Sequence, residues 1–337
     1  MSDAETSADA LPLEALLQKC EDHATSPELA APEALLRSLQ SGVSAALVRL
    51  PPEGGLTMQR LHTVFQSFFS DTPDVEKAKC AEHTRQPNVG PASILVGWRR
   101  PSVAKELVRL FAAAPPSAVL PDQPWLVASK SLFARAAQRE LHAVLSACLQ
   151  VVLQALSGDD VSPEMVASLL GGSTGEGLVS NCALDIFFYP NDDVHASGVP
   201  NCTEHVDRGF LSAVVVSPVP GLELWDGERG EFRAVNDIWP HALPWRDVVV
   251  FVNDELERMA ADSRWSARSR LPGLVACTHA VRKAAAPRLS ISYELRPGFG
   301  AALPSDWLAG ELAQANRPSA QVAHGGERNG KRGRDVL

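Results

Sequence analysis

The chain has 337 residues, 45% of them hydrophobic and 21% charged, with a formal net charge of −9. This is ordinary globular composition, long enough for one large domain or two modest ones around a sizeable core. The acidic balance argues against a general nucleic-acid surface, which needs a basic stripe.

The sequence opens without a basic segment leading into an apolar one, and contains no run of about 18 apolar residues. Neither a secretory signal nor a membrane span is therefore expected. Six cysteines, at 20, 80, 148, 182, 202 and 277, are scattered too thinly for a disulfide framework. They read as free thiols in a reducing, cytoplasmic compartment.

The first half, residues 1–170, reads as a helical region packing on a core. Leu13, Leu16 and Leu17 recur at helical spacing, as do Leu61, Val64, Phe65, Phe68 and Phe69. Asp71-Thr72-Pro73-Asp74 has the composition of a helix start. Pro115-Pro116 and the prolines at 121 and 124 mark loops. Leu141, Val144, Leu145, Cys148, Val151, Val152 and Ala155 lie along one stripe and predict a helix from about Ser131 to Leu156.

Gly171-Gly172-Ser173-Thr174-Gly175 reads as a flexible joint, after which the pattern changes. Short apolar or alternating runs follow at 183–189, 210–217, 222–225, 231–235, 247–252, 276–281 and 288–295. Asp226-Gly227-Glu228-Arg229-Gly230 is a hairpin signal between two of them. Strands at this spacing predict an antiparallel sandwich or jelly roll over 175–300. The segment 315–337 is expected to be a disordered tail. Its Lys331-Arg332-Gly333-Arg334 run reads as a solvated end or as a nuclear address.

His205-Val206-Asp207 carries the chemistry. On a strand, residues two apart share a face, so His205 and Asp207 present an imidazole and a carboxylate together. His279 from a neighbouring strand completes a two-histidine, one-carboxylate set. That set leaves coordination positions open and is the mark of non-haem Fe(II) oxygenases. Two alternatives stand beside it. One is a surface H-x-D with an unrelated histidine. The other is a structural zinc site of Cys202, His205, Cys277 and His279. In the latter, Cys202 and His205 would face opposite ways on an extended segment and Asp207 would have no role.

Arg288 and Ser290 share a face, while Leu289, Ile291 and Tyr293 take the other. The Arg fork and Ser hydroxyl suit a carboxylate, and Tyr189 could add a phenol. The plain alternative is an edge-strand arginine beside a solvated serine.

In order along the chain, these residues resemble the isopenicillin N synthase-like superfamily of Fe(II)/2-oxoglutarate dioxygenases. Phe68-Phe69 through Glu76-Lys77-Ala78-Lys79 resembles that family's F-F-x-L-P-x-E-K-x-K stretch. Gly97-Trp98, Tyr189-Pro190, His205-Val206-Asp207, Pro220-Gly221-Leu222, His279 and Arg288-x-Ser290 match motifs that follow it in order. The resemblance implies an α+β fold, with a double-stranded β-helix (jelly-roll) core flanked by N-terminal helices. It implies His205, Asp207 and His279 as ligands of Fe(II). It also implies 2-oxoglutarate as co-substrate, held by Arg288, Ser290 and Tyr189, with ascorbate as reductant. The implied reaction uses O2 to hydroxylate or desaturate a small organic substrate, releasing succinate and CO2.

The sequence departs from the family in three places. Phe187 stands where an Asn is usual, and Asn253-Asp254 replaces a Gly-Asp. The stretch between Asp207 and His279 is long. Its extra length lies in 255–274, which carries Arg258, Arg264, Arg268 and Arg270 and reads as a substrate lid or a surface loop. Two functional alternatives stay open: an iron-dependent oxidase whose R-x-S binds a substrate carboxylate instead of 2-oxoglutarate, and a non-catalytic metal-binding jelly-roll module.

Overall fold

A computed structural model describes residues 10–18, 30–84, 94–113, 128–170, 179–191, 200–262 and 269–297. The expected joint at 171–175, the proline loops at 115–124, Arg264, Arg268 and the 315–337 tail lie outside these.

The first half contains β1 (Leu11–Pro12), α1 (Leu13–Gln18), α2 (Ala30–Leu39), β2 (Ala45–Arg49), α3 (Pro52–Asp71), α4 (Asp74–Ala78), β3 (Ala81–Thr84), β4 (Ile94–Ser102), β5 (Lys105–Ala113), α5 (Ala128–Ser157) and α6 (Pro163–Leu169). The second half contains β6 (Val179–Tyr189), β7 (Cys202–His205), β8 (Leu211–Val215), β9 (Leu222–Asp226), β10 (Glu231–Ala234), α7 (Val235–Ile238), β11 (Asp247–Val252), α8 (Asp254–Ala261), β12 (His279–Val281) and β13 (Arg288–Leu295).

The helices form where apolar residues recur on one stripe and the ends are well made. α3 starts on Pro52, whose missing N–H costs nothing in a first turn, and buries Met58, Leu61, Phe65, Phe68 and Phe69. The Ser162 hydroxyl caps α6 by accepting from Met165 N at 3.3 Å. α5 is the core helix and packs on α3, α6, β8 and β13. Its stretch Leu132–Ser157 is long and apolar enough to cross a bilayer, yet 72% of its apolar 18-residue window is buried inside the fold.

The strands form a nine-stranded sheet, ordered β1-β2-β11-β8-β13-β6-β5-β4-β3, and a four-stranded sheet, ordered β10-β9-β12-β7. From β6 onwards the chain alternates between them: β6, β8, β11 and β13 lie in the large sheet, β7, β9, β10 and β12 in the small one. Two apolar cores result. Val248, Val250, Val252, Leu289, Ile291 and Tyr293 meet the helices on the outer face of the large sheet. Val214, Val249, Phe251, Leu222, Leu224 and Val281 fill the space between the sheets. A central strand such as β11 is buried on both faces, which is why Val248-Val249-Val250-Phe251-Val252 is an unbroken apolar run. Each such fully buried side chain contributes roughly 1.5–3 kcal/mol.

The expectation of a helical first half is corrected by β2 and by β3 to β5, which extend the large sheet on its two sides. The β4–β5 hairpin lacks clean alternation because charges sit on both of its faces. Glu106 is buried against Lys77 Nζ at 3.2 Å and accepts from Trp98 Nε1 at 2.9 Å on the helix side. Arg109 pairs with Asp185 on the other side. Paired charges substitute there for the apolar residues that a pattern search needs.

Candidate metal centre and anion clamp

His205 ends β7, and His279 opens β12 directly opposite it in the antiparallel register. Asp207 follows β7 two residues after His205, with the exposed Val206 between them. One ligand atom from each of the three lies within 4.8 Å of the others. Asp207 Oδ1 is 3.4 Å from His205 Nε2 and 3.7 Å from His279 Nε2. The two rings lie 4.2 Å apart, and Phe251 packs on His279 at 4.6 Å.

Each imidazole points its other nitrogen at the backbone. His205 Nδ1 is 2.7 Å from the Thr203 carbonyl, and His279 Nδ1 is 3.3 Å from the Cys277 carbonyl. A neutral ring donating from Nδ1 presents Nε2 as a lone-pair donor, the usual arrangement behind metal-bound histidine. Two Nε2 atoms and a carboxylate oxygen on one side of an ion fit a divalent metal with open positions.

The carboxylate is held from behind. Ser212 donates to Asp207 Oδ2 at 2.7 Å, and Asn253 Nδ2 donates to Ser212 Oγ at 3.0 Å and to the Arg208 carbonyl at 3.2 Å. Asp254 N bonds the Asp207 carbonyl at 3.2 Å, and its carboxylate accepts from Gly209 N at 2.9 Å. The Asn253-Asp254 pair thus ties the start of α8 to the ligand turn. Burial alone would raise the Asp207 pKa, but the His205 hydrogen bond, the His279 charge and the Ser212 hydroxyl hold it below the usual carboxylate range. The same Asp207 contact, with help from Cys202, pushes His205 up to about 10, whereas burial lowers His279.

The cysteines of the zinc alternative do not join this set among the described residues. Cys202 turns towards His205, contrary to the expectation that they face apart, but approaches Nδ1 at 3.9 Å, away from Asp207. Cys277 is buried, which raises its thiol pKa.

Arg288, Ser290 and Tyr189 also come together. Arg288 is opposite Tyr189 and Ser290 opposite Phe187 in the β13–β6 register. The Arg288 guanidinium lies 5.9 Å from the Tyr189 ring centroid. Arg288 is 2% exposed, donates from Nε to the Val219 carbonyl at 3.2 Å, and leaves Nη1 buried without a partner. No carboxylate among the described residues pairs with it. A small cleft of about 10 Å³ beside it is lined by Val216, Val219, Gly221, Leu222 and Asn236 among others. Gly221 has φ +145°, and a Cβ there would sit 2.9 Å from the Arg282 carbonyl and 3.3 Å from Arg288 Cδ. The Pro-Gly-Leu turn therefore leaves the space that Arg288 occupies.

The described part of the 255–274 stretch packs on the fold and does not form a free loop. α8 buries Leu256, Met259 and Ala260, and Leu271 and Leu274 join the same core on the helix side. Sequence reasoning missed Ser212, Asn253 and Asp254 as supports of the site. They carry no motif of their own, and only the cross-strand fold brings them to Asp207.

No protein-family model matches the sequence, and no curated protein matches it. Solved structures do. A full-length Neurospora crassa protein in complex with alpha-KG (2-oxoglutarate) is 17% identical, with 93% of this chain and 100% of that one covered and a TM-score of 0.57. Dioxygenase for auxin oxidation 1 from Arabidopsis thaliana, a 2-oxoglutarate complex, is 18% identical, with 87% and 93% covered and a TM-score of 0.57. A Caulobacter crescentus protein assigned to the 2OG-Fe(II) oxygenase family is 14% identical, with 92% and 100% covered and a TM-score of 0.54. The likeness extends over most of this chain and is one of fold: the chain has the fold of these three structures.

Proposed function

We propose that the protein is an Fe(II)- and 2-oxoglutarate-dependent dioxygenase that oxidises a small organic substrate. The observation that carries this reading is Arg288: a buried guanidinium with no counter-anion among the described residues, on the inner face of the large sheet, while the two histidines lie on strands of the small sheet. Burying an unpaired charge costs several kcal/mol, and a carboxylate ligand removes that cost. The alternation of β6 to β13 between two sheets supports reading them as a double-stranded β-helix, or jelly roll.

In this reading His205, Asp207 and His279 hold ferrous iron, which when bound activates dioxygen for oxidative decarboxylation of 2-oxoglutarate coupled to substrate oxidation. Arg288 takes the distal carboxylate of 2-oxoglutarate through its free Nη1, with Ser290 adding a hydroxyl donor and Tyr189 walling the site. Phe251, Leu224 and Val281 keep the inter-sheet space dry around the ligands. The 2-oxoglutarate complexes of the Neurospora and Arabidopsis proteins support the co-substrate. A thymine complex of the Neurospora protein supports a small-molecule substrate.

The test is melting temperature under anaerobic conditions, followed by succinate release in air against a metabolite extract. Fe(II) and 2-oxoglutarate together should raise the melting point, by the equivalent of about 2.7 kcal/mol at a hundredfold excess over Kd. Succinate should form only when both are present. Oxygen uptake that proceeds without 2-oxoglutarate, or no stabilisation by either ligand, would overturn the reading.

A further inference from the structure

The strand registers order the side chains on the inner face of the large sheet into rows. One row runs Arg99, Leu107, Phe187, Ser290, and the adjacent row runs Gly97, Arg109, Asp185, Ser292. Trp98 and Glu106 take the opposite face and meet Lys77 and the helices. Arg99 and Arg109 therefore look into the space that holds the metal centre. The next residue on that face of β13, Glu294, lies opposite Ser212, the serine bonded to Asp207.

The charges on this face do not balance. Arg109 Nε donates to Asp185 Oδ1 at 2.7 Å and Nη2 donates to Oδ2, so one guanidinium matches one wholly buried carboxylate. Glu294 is taken by Arg296. Arg99 has no hydrogen bond or ion pair with any described residue, and its Nε is buried without an acceptor. Lys105 adds a further cation, its ammonium 4.5 Å from the Phe187 ring centroid and 3.5 Å from Cys202 Sγ, to which it donates. Among the described residues, this half-buried guanidinium beside a second one meets only the charge of Asp185, which is already paired with Arg109, and its Nε stays an orphaned donor. An incoming anion would supply the missing acceptor.

We propose that Arg99, backed by Arg109, anchors a carboxylate on the substrate, whose apolar body lies over Leu107 and Phe187 between that anchor and the metal centre. The assignment rests on reading the site as that of an oxygenase. It is separate from the Arg288 clamp, because three strand spacings, roughly 14 Å, divide Arg99 from Ser290. Five-carbon 2-oxoglutarate cannot fill both. Burial and the neighbouring Arg109 charge lower the Arg99 pKa, and the Asp185 charge offsets this only in part.

The experiment loads the protein with Mn(II), as a redox-silent metal, and saturating 2-oxoglutarate, so that the Arg288 clamp is filled. Calorimetric titrations then compare matched acids and amides: phenylacetate with phenylacetamide, benzoate with benzamide, hexanoate with hexanamide. The acid of at least one pair should bind about tenfold more tightly than its amide. Arg99→Gln should abolish that preference and Arg99→Lys should keep most of it, with 2-oxoglutarate affinity unchanged in both variants. No acid preference in any pair, or a preference that survives Arg99→Gln, would overturn the proposal. If Mn(II) and 2-oxoglutarate fail to bind, it is the oxygenase reading that falls. The same titrations on metal-free protein then decide the anion site: an Arg99-dependent acid preference upholds it, and its absence overturns it.

Discussion

Ser212 donates its hydroxyl to Asp207 Oδ2 at 2.7 Å, which leaves Asp207 Oδ1 as the oxygen facing both imidazoles. The hydrogen bond selects which oxygen a metal meets and fixes the carboxylate plane. Ser212→Ala should weaken Mn(II) binding by roughly 10- to 100-fold, the usual effect of losing a partner of a metal ligand. A competition titration of wild type and variant reads this directly, and equal affinities would remove Ser212 from the centre.

His205→Ala and Asp207→Ala test the ligand set itself. Each should abolish the rise in melting temperature with Fe(II) plus 2-oxoglutarate and stop succinate release. Circular dichroism of the metal-free variants should stay close to wild type, since His205 is partly exposed at a strand end. Succinate release at the wild-type rate in either variant would sink the assignment.

Arg288→Lys keeps the charge but loses the planar fork. It should lower 2-oxoglutarate affinity by about 10- to 100-fold, equivalent to roughly 1.4–2.8 kcal/mol, and leave Mn(II) binding alone. Gly221→Ala should act on the same affinity from the other side, because its φ of +145° and the Arg282 carbonyl 2.9 Å from the new Cβ leave no room for a methyl group, and Arg288 Cδ at 3.3 Å would be pressed as well. Isothermal titration with 2-oxoglutarate in the presence of Mn(II) measures both.

His142 gives a pH signature away from the metal. It lies 3.1 Å from the Tyr293 hydroxyl, and burial lowers its pKa to about 4. The unfolded chain, with histidine near 6.5, binds the proton that the folded chain refuses. The stability contributed by neutral His142 is thus complete above about pH 6.5 and is lost as pH falls towards 4. The loss is at most about 3 kcal/mol. Urea melts of wild type and His142→Gln across this window should converge at low pH if other groups cancel. A constant difference would show that His142 does not titrate on unfolding.

The groups that the fold gathers, His205, Asp207 and His279 on one side and Arg288, Ser290 and Tyr189 on the other, were legible because the chemistry expected of them demands particular residue types in a fixed order. Strands β8, β11 and β13 were legible because burial on both faces, or on one, imposes runs and alternation. β4 and β5 were not, since Arg99, Arg109 and Glu106 occupy places where apolar residues would announce a strand. Nor were Asn253 and Asp254. Their departure from the family pattern marked them as odd, but only the fold shows that they hold the turn carrying Asp207. The Cys202–His205 approach was misjudged for a related reason: alternation along an ideal strand does not describe the last residues of a short one.

β12 is three residues long, yet among the described residues it alone links β7 and β9 in the small sheet's hydrogen-bonded order. A metal gripped by His205, Asp207 and His279 would close a long loop of chain across that short seam, much as a cross-link does. Chelation would then reach beyond chemistry. It would free the seam to open locally, exposing the amides of β7 and β12 to exchange well before the rest of the fold lets go.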